Sequence, residues 1–316
     1  MPPAQELVSA IIPVHNAATT VETAIRSVLD QTYPAVEVIV VDDASTDDTW
    51  ERIGSIGDSR VRAFRQDRNL GEGPTRDAAI DRANGEWVAM LDADDAWHVE
   101  RLRSLLAMAS LPGGDCVLAD NIMHCYTVGP RLEPWRPQWR GGDLPFVSGS
   151  ALLRLEDYLS LRWLLVKPLI RRRVLTTHGV RHSSLTFSAD TEFLIRVLHT
   201  GLGLRIAEQP LYLYRRTPNS MSDNPRRAEI MREMFGRLLN EVEFSAREAE
   251  LIRERIERLG REEKYMRFLG DIRSGQWQRV FAEGCRDWRL PAEFFCRLPE
   301  SVAYRVNVRL HGGRAR

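Results

Sequence analysis

Acidic residues gather at the ends of apolar runs in this chain. The run Met90-Leu91 delivers Asp92-Ala93-Asp94-Asp95. Two carboxylates one residue apart at the end of a buried strand, here Asp92 and Asp94, can share a hard divalent cation. Left without a counter-ion, such a cluster repels itself. Asp95 either joins it or caps a helix expected to begin near Ala96-Trp97. A second run ends in Val41-Asp42-Asp43-Ala44-Ser45-Thr46-Asp47, and a first in Ile12-Pro13-Val14-His15-Asn16. Both tips are expected at one sheet edge. There the Asp43 carboxylate can accept from a base N–H or a ribose hydroxyl, with helix capping as the alternative. Asp47 and Asp48, followed by Trp50 and Ile53, read as caps. In Ser188-Ala189-Asp190 a further carboxylate stands at the entry of a helix whose Phe193, Leu194, Val197 and Leu198 recur at helical spacing.

The elements that must position these groups follow from periodicity. Strands are predicted over Leu7 to Val14, Val36 to Val41, Val61 to Arg65 and Trp87 to Leu91, with helices between them, which is an α/β pattern. Ligands of open α/β sheets sit beyond the carboxyl ends of the strands. From Gly113 to Phe146 the pattern loosens. A strand over Cys116 to Asn121 precedes Val128 to Gly142, rich in Pro, Trp, Arg and Gly, and the stretch is expected to form a mixed sheet and a mobile loop. Arg226 to Arg261, dense in Glu and Arg with apolar residues three and four apart, predicts one or two long amphipathic helices. The boundary falls near Asn224-Pro225, dividing a catalytic region (1–225, halves of about 1–112 and 113–225) from a C-terminal helical region (226–316).

Composition excludes several classes. Lys plus Arg and Asp plus Glu both total 44, so no net field gathers nucleic acid. Cys116, Cys125, Cys285 and Cys296 lack zinc or redox spacings and read as reduced packing residues. The start Met1-Pro2-Pro3-Ala4-Gln5-Glu6 has no basic and apolar leader, which predicts a cytoplasmic protein. The apolar stretch from Leu159 to Ile170 is broken by Arg162, Lys167 and Pro168, short of the ~20 apolar residues of a span. In the C-terminal region Trp288, Phe294, Phe295, Leu298, Val302, Tyr304, Val306 and Val308 alternate with arginines. This suits a peripheral contact with an anionic membrane face or a partner, against a docked helix with a disordered tail.

Together with Asn69-Leu70-Gly71 and Thr75-Arg76-Asp77-Ala78-Ala79, the three strand-end motifs resemble family 2 glycosyltransferases over residues 7 to 100. The resemblance implies a GT-A fold, a Rossmann-like mixed central sheet flanked by helices, here with a C-terminal helical extension. It also implies a nucleotide-sugar donor, usually a UDP-sugar, Mg²⁺ or Mn²⁺ at the Asp-x-Asp motif, and inversion at the anomeric carbon. Ser188-Ala189-Asp190-Thr191-Glu192-Phe193-Leu194-Ile195-Arg196 is similar to the segment carrying the family's catalytic base, so Asp190 inherits that role although Ala189 replaces the commoner acidic residue. A nearby arginine, Arg196 or Arg215, would keep it ionised. The implied donor site comprises Pro13, His15, Asn16, Asp43, Arg76, Asp92 and Ala93, with metal at Asp94 and Asp92. Arg76 is either a nucleotide or diphosphate contact or a surface helix arginine.

Leu165 to Arg172, Tyr214-Arg215-Arg216 and Ser220-Met221-Ser222 are similar to bacterial exopolysaccharide transferases of the succinoglycan type, implying a saccharide or lipid-linked saccharide acceptor at the inner membrane face. Many relatives carry a histidine where this chain has Arg216-Thr217-Pro218-Asn219, so Arg215 or Arg216 is expected to take the diphosphate. Trp135, Trp139 and Trp163 either stack on sugar rings or pack. Two rivals remain. A nucleotidyltransferase would need a Gly-rich phosphate loop after the first strand, which Pro13-Val14-His15-Asn16 lacks. A degenerate, scaffold-like domain would bind nucleotide-sugar without turnover.

Overall fold

The structure, a computed structural model, describes residues 5–112, 115–128, 131–139, 143–161, 165–185, 188–217 and 226–290. They belong to two compact units, one drawn from 1–125 and 134–216, the other from 126–133 and 217–316. The first opens with the expected alternation: β1 (Val8–Val14), α1 (Val21–Leu29), β2 (Val36–Asp42), α2 (Thr49–Gly54), β3 (Val61–Arg65), α3 (Glu72–Ile80) and β4 (Trp87–Met90). Then come β5 (Ala96–Trp97), α4 (Arg101–Met108), β6 (Cys116–Val128), β7 (Arg131–Pro137), β8 (Ser150–Leu153), α5 (Leu155–Ser160) and β9 (Leu169–Arg171). The elements α6 (Arg172–His178), α7 (Ala189–His199) and β10 (Gly203–Arg215) complete this stretch.

The sheet runs β3-β2-β1-β4-β9-β6-β10-β5, with β7 beside β6 and β8 beside β10. Strands β3, β2, β1 and β4 are mutually parallel, whereas β9 lies antiparallel to β4 and β6, so the sheet is mixed. Every residue of β1 and β2 is buried, which is why both read as mostly apolar runs rather than as alternating ones; the polar exceptions pair with each other, Ser9 Oγ donating to Glu37 Oε1 at 2.6 Å. Helix α1 covers them with Val21, Ala24, Ile25 and Val28. Each Val or Ile so buried contributes roughly 1.5–3 kcal/mol. Because β1 pairs in register with β2 on one side and β4 on the other, the three strand ends lie at the same edge.

Two expectations are corrected. Ala96-Trp97 forms the short strand β5 against β10, not a helix, so Asp95 caps nothing there. The stretch expected as a mixed sheet and a mobile loop carries more strand than its composition indicates: the strand placed over Cys116 to Asn121 continues to Val128, and β7 follows over Arg131–Pro137, because pairing supplies the backbone partners. The second unit carries α8 (Arg227–Glu241), α9 (Ala246–Arg273) and α10 (Trp277–Arg286). Ser245 caps α9 by accepting from Glu248 N at 3.2 Å, while the Glu248 carboxylate accepts from Ser245 N at 2.8 Å. Helix α10 packs Val280 against a small cluster of Tyr265, Phe268 and Leu290 but leaves Trp277, Phe281 and Trp288 exposed. Cys116 and Cys125 are buried as expected, whereas Cys285 is exposed. Among the described residues no helix is long and apolar enough to cross a membrane. Asn224-Pro225, Trp163, the Ser220-Met221-Ser222 motif, Cys296 and the C-terminal aromatics from Phe294 onward lie outside the described residues.

Candidate active site

At the tips of β1 and β2 the backbone turns through left-handed geometry at two non-glycine residues, Asn16 (φ 51°) and Ala44 (φ 55°). Such conformations persist where surrounding bonds impose them. Asn16 N donates to Ser45 Oγ at 2.9 Å, Asn16 Oδ1 accepts from Thr46 N at 2.8 Å, and the His15 ring nitrogen Nδ1 meets the Asp43 carbonyl at 2.9 Å. Pro13 stands opposite Val41 in the β1–β2 register. Asp43 is buried, and its carboxylate accepts from Leu70 N at 2.7 Å, Gly71 N at 2.9 Å and Gln66 Nε2 at 3.2 Å. It therefore fastens the Asn69-Leu70-Gly71 loop to the tip of β2 and does not cap a helix. Asp47 accepts from Thr49 N at 3.1 Å and Ala18 N at 3.2 Å, tying the same two tips together.

The β4 tip is built from charges instead. Arg76, on α3, is buried rather than on the surface; its Nη2 donates to Glu72 and to Asp92 Oδ1, both at 2.6 Å, and its Nη1 to Asp190 Oδ1. Lys167, also buried, holds its Nζ 2.5 Å from Asp92 Oδ2 and 2.5 Å from Asp190 Oδ2. Helix α3 reaches this position because Gly73 has no side chain; a Cβ there would collide with the Ser183 carbonyl oxygen just ahead of α7. Asp190 sits in the first turn of α7, whose entry residue Ser188 is also left-handed (φ 66°). Burial pushes the Asp190 carboxyl up, but Arg76 and Lys167 overcome it and hold the group well below the usual carboxylate range. The ionising role expected of Arg196 or Arg215 thus falls to Arg76 and Lys167: Arg196 donates to Glu192 at 2.8 Å, and Arg215 Nε donates to the Asp94 carbonyl at 2.5 Å.

Beside this network, Asp92, Asp94 and Asp95 bring carboxylate oxygens within 4.8 Å of one another. Asp95 is buried, accepting from Tyr212 Oη at 2.8 Å and Arg215 N at 2.7 Å, while Tyr212 Oη accepts from Asp92 N at 3.1 Å. Burial and then the charges of Asp94 and Asp92 push the Asp95 carboxyl well up. Asp94 is the exposed member, and the surrounding protein together with Asp92 raises it as well. Oxygen-only donors under mutual repulsion fit Mg²⁺ or Mn²⁺. Three cations, Arg76, Lys167 and Arg215, face five carboxylates, Glu72, Asp92, Asp94, Asp95 and Asp190, an excess of acidic groups that a divalent ion would offset.

Of the residues singled out from sequence, the structure gathers Asp92, Asp94, Arg76, Asp190 and Arg215 around one network, with Ala93 buried among them. Pro13, His15, Asn16 and Asp43 form the amide-rich corner at the β1 and β2 tips. Arg216 extends the sheet through its backbone, donating N–H to the Cys125 carbonyl at 2.8 Å. Trp139 is buried, and Trp135 lies under the Arg136 guanidinium at 4.3 Å. Sequence reasoning assigned no role to Lys167, to Tyr212, or to the buried pair in which Arg101 donates to Asp120 at 2.8 Å. One signal was available: a lysine inside an apolar run must find a partner if the run is buried.

The family model for "Glycosyl transferase family 2" matches residues 9–185. The chain belongs to glycosyl transferase family 2. This family 2 chain is 32% identical over 224 residues to the succinoglycan biosynthesis protein ExoO of Rhizobium meliloti, covering 68% of this chain and 62% of that protein. It is 33% identical over 234 residues to ExoU of the same organism, covering 71% and 66%. The chain therefore spans about two thirds or less of the length of these relatives. Among solved structures it superposes on S. aureus TarS with UDP-GlcNAc at a TM-score of 0.60 and 20% identity, covering 79% of this chain and 71% of that one. The mannosyltransferase PcManGT of Pyrobaculum calidifontis, with GDP-Man and Mn²⁺, gives a TM-score of 0.57 at 18% identity, covering 96% and 82%. The mixed sheet flanked by helices is the GT-A fold.

Proposed function

We propose that this family 2 chain is an inverting, metal-dependent glycosyltransferase that moves a sugar from a nucleoside-diphosphate donor, a UDP-sugar by preference, to an acceptor hydroxyl. The observation that carries this reading is the convergence of Asp190 with Asp92 and Asp94 at the sheet edge where the tips of β1, β2 and β4 meet. Asp190 is the base: it takes the acceptor proton as the acceptor oxygen bonds to C1 and the C1–O bond to the diphosphate breaks on the opposite face. Its depressed pKa keeps it ionised and ready. Asp94 and Asp92, with Asp95 beside them, would hold the divalent ion, which supplies positive charge to the leaving diphosphate. Asp43 and the Asn69-Leu70-Gly71 loop form one wall of the nucleotide site, and Arg76 fixes Asp92 at its floor.

The preference for UDP and for a saccharide or lipid-linked acceptor in cell-surface glycan synthesis draws on the relatives. TarS was solved with UDP-GlcNAc. WfaP of Escherichia coli, named UDP-Glc:alpha-D-GlcNAc-diphosphoundecaprenol beta-1,3-glucosyltransferase, is 42% identical over 97 residues, covering 31% of this chain and 39% of that protein. Work at a cytoplasmic membrane face fits such an acceptor, and the exposed Trp277, Phe281 and Trp288 beside Arg279 and Arg286 supply a surface for peripheral contact. Flotation with anionic vesicles tests that contact, and loss of flotation in a Trp277→Ser, Phe281→Ser, Trp288→Ser variant is the expected result. The central test is UDP or GDP release from a panel of nucleotide-sugars, with and without Mn²⁺. A scaffold would release nothing from any donor.

A further inference from the structure

Asp92 and Asp190 belong to different elements, β4's tip and α7's first turn, yet they share the same two cations. Arg76 bonds the Oδ1 atom of each, and Lys167 bonds the Oδ2 atom of each. Two carboxylates and two cations thus close a ring. With Lys167 Nζ at 2.5 Å from both, the two Oδ2 atoms lie within about 5 Å of each other. A lysine side chain alone is a flexible tether, but this one leaves a pinned backbone. The Pro168 carbonyl accepts from Met90 N at 3.1 Å, and the Lys167 carbonyl accepts from Arg101 Nη2 at 2.6 Å. Arg101 is itself fully buried, paired with Asp120 at 2.8 Å and stacked on Trp97 (4.7 Å) and Tyr212 (5.2 Å).

We propose that Lys167 is a positioning residue: together with Arg76 it locks the Asp190 carboxylate at a fixed distance and orientation from the donor-side carboxylate Asp92. This rests on the transferase reading above. The ring occupies one lone pair on each Asp190 oxygen and stops rotation of the carboxylate, so the free lone pair keeps one direction toward the acceptor. Asp190 retains 24% side-chain exposure, which leaves that face accessible. Lys167 is only 4% exposed and its ammonium meets the carboxylates of Asp92 and Asp190, so its charge acts through them.

The test compares wild type, Lys167→Met and Lys167→Arg in full-length protein, using whichever UDP-sugar the donor panel shows to be turned over with Mn²⁺. Misplacing a catalytic group by about 1 Å costs on the order of a hundredfold. Lys167→Met is expected to lose roughly ten- to a hundredfold in kcat with a clearly smaller change in donor KM and UDP Kd, which Lys167 reaches only through Asp92, and Lys167→Arg to recover part of the loss. A kcat near wild type, or a UDP Kd that worsens in step with kcat, overturns the positioning role. Thermal unfolding gives a readout independent of turnover: Lys167→Met should lower Tm, Asp190→Asn should lower it less, and the double variant should lose less than both together, since each single change strands a buried charge. Strictly additive losses overturn the ring even if no donor is ever turned over, whereas absence of wild-type turnover with non-additive losses removes the transferase reading alone. Should Lys167→Met fail to fold, Lys167→Gln carries the same comparison.

Discussion

Asp43 and Asp92 both stand at the carboxyl ends of buried parallel strands, but they are stabilised by different means. Asp43 is held by backbone N–H groups of Leu70 and Gly71 and by a neutral amide, Gln66. Asp92 is held by two full charges, Arg76 and Lys167, which it shares with Asp190. Backbone amides fix a loop's shape and leave local charge nearly unchanged, as the proposed nucleotide wall requires. Paired charges fix orientation and set the protonation state, as the proposed base and diphosphate site require. Amide bonds to a carboxylate survive changes in neighbouring side chains, whereas removing one member of an ion network strands the others in low dielectric.

The largest effect expected from that difference is on the ionic side. Asp190→Asn keeps the size but turns one of the two oxygens that accept from Arg76 and Lys167 into a donor, and it cannot take a proton, so turnover should fall by ~10²- to 10⁴-fold with UDP affinity close to wild type. Near-normal transfer would remove Asp190 as base, and a matched collapse in UDP binding would move it to the donor site. Next comes Asp94→Ala, which removes the exposed carboxylate of the acidic cluster and should abolish Mn²⁺ stimulation of turnover. Full activity of that variant in chelator-treated buffer would be incompatible with a metal site there.

A smaller effect is expected on the amide side. Asp43→Asn replaces one acceptor oxygen by a donor that faces the Leu70 or Gly71 N–H, so the loop should loosen and UDP affinity drop by about tenfold, or 1.4 kcal/mol, with kcat at saturating donor little changed. Calorimetry with UDP checks this, and a kcat loss rivalling that of Asp190→Asn would erase the distinction between the two regions. The smallest effect lies outside both. Burial, and then the charges of Arg216 and Arg136, push His124 from 6.5 down to about 4. The unfolded chain therefore binds this proton first as pH falls. Stability from this group is complete above pH 6.5 and is lost as the pH drops from 6.5 toward 4, by up to about 3 kcal/mol. Unfolding curves at pH 7 and pH 5 should differ by less in His124→Gln than in wild type; equal differences would place the acid sensitivity elsewhere.

The strands β1, β2 and β4 were legible because strands buried on both faces read as mostly apolar runs, the partly buried β3 was legible from the short run Val61 to Arg65 between turn residues, and the polar ends were legible because the runs stop there. Asp43, Asp92 and Asp94 follow from those endpoints, and Asp190 from the motif at the start of α7. The short strand β5 was not legible, since two residues, Ala96 and Trp97, carry no period and owe their state to pairing with Leu213 and Tyr212 of β10. The strand β7 was hidden in the same way among prolines and tryptophans. Such elements exist only because a partner strand supplies their hydrogen bonds.

The sequence by itself determined the α/β class, the sheet edge at which the acidic residues gather and which acids reach it, because local periodicity and strand ends are properties of neighbouring residues. Only the tertiary structure decided who compensates those acids. Arg76 reads as a surface or donor-contact arginine until α3 is docked through Gly73 against Ser183, and Lys167 reads as an interruption in an apolar run until β9 enters beside β4. The physical reason is that a buried charge must be paired, while its partner can come from any part of the chain that folding brings within about 3 Å.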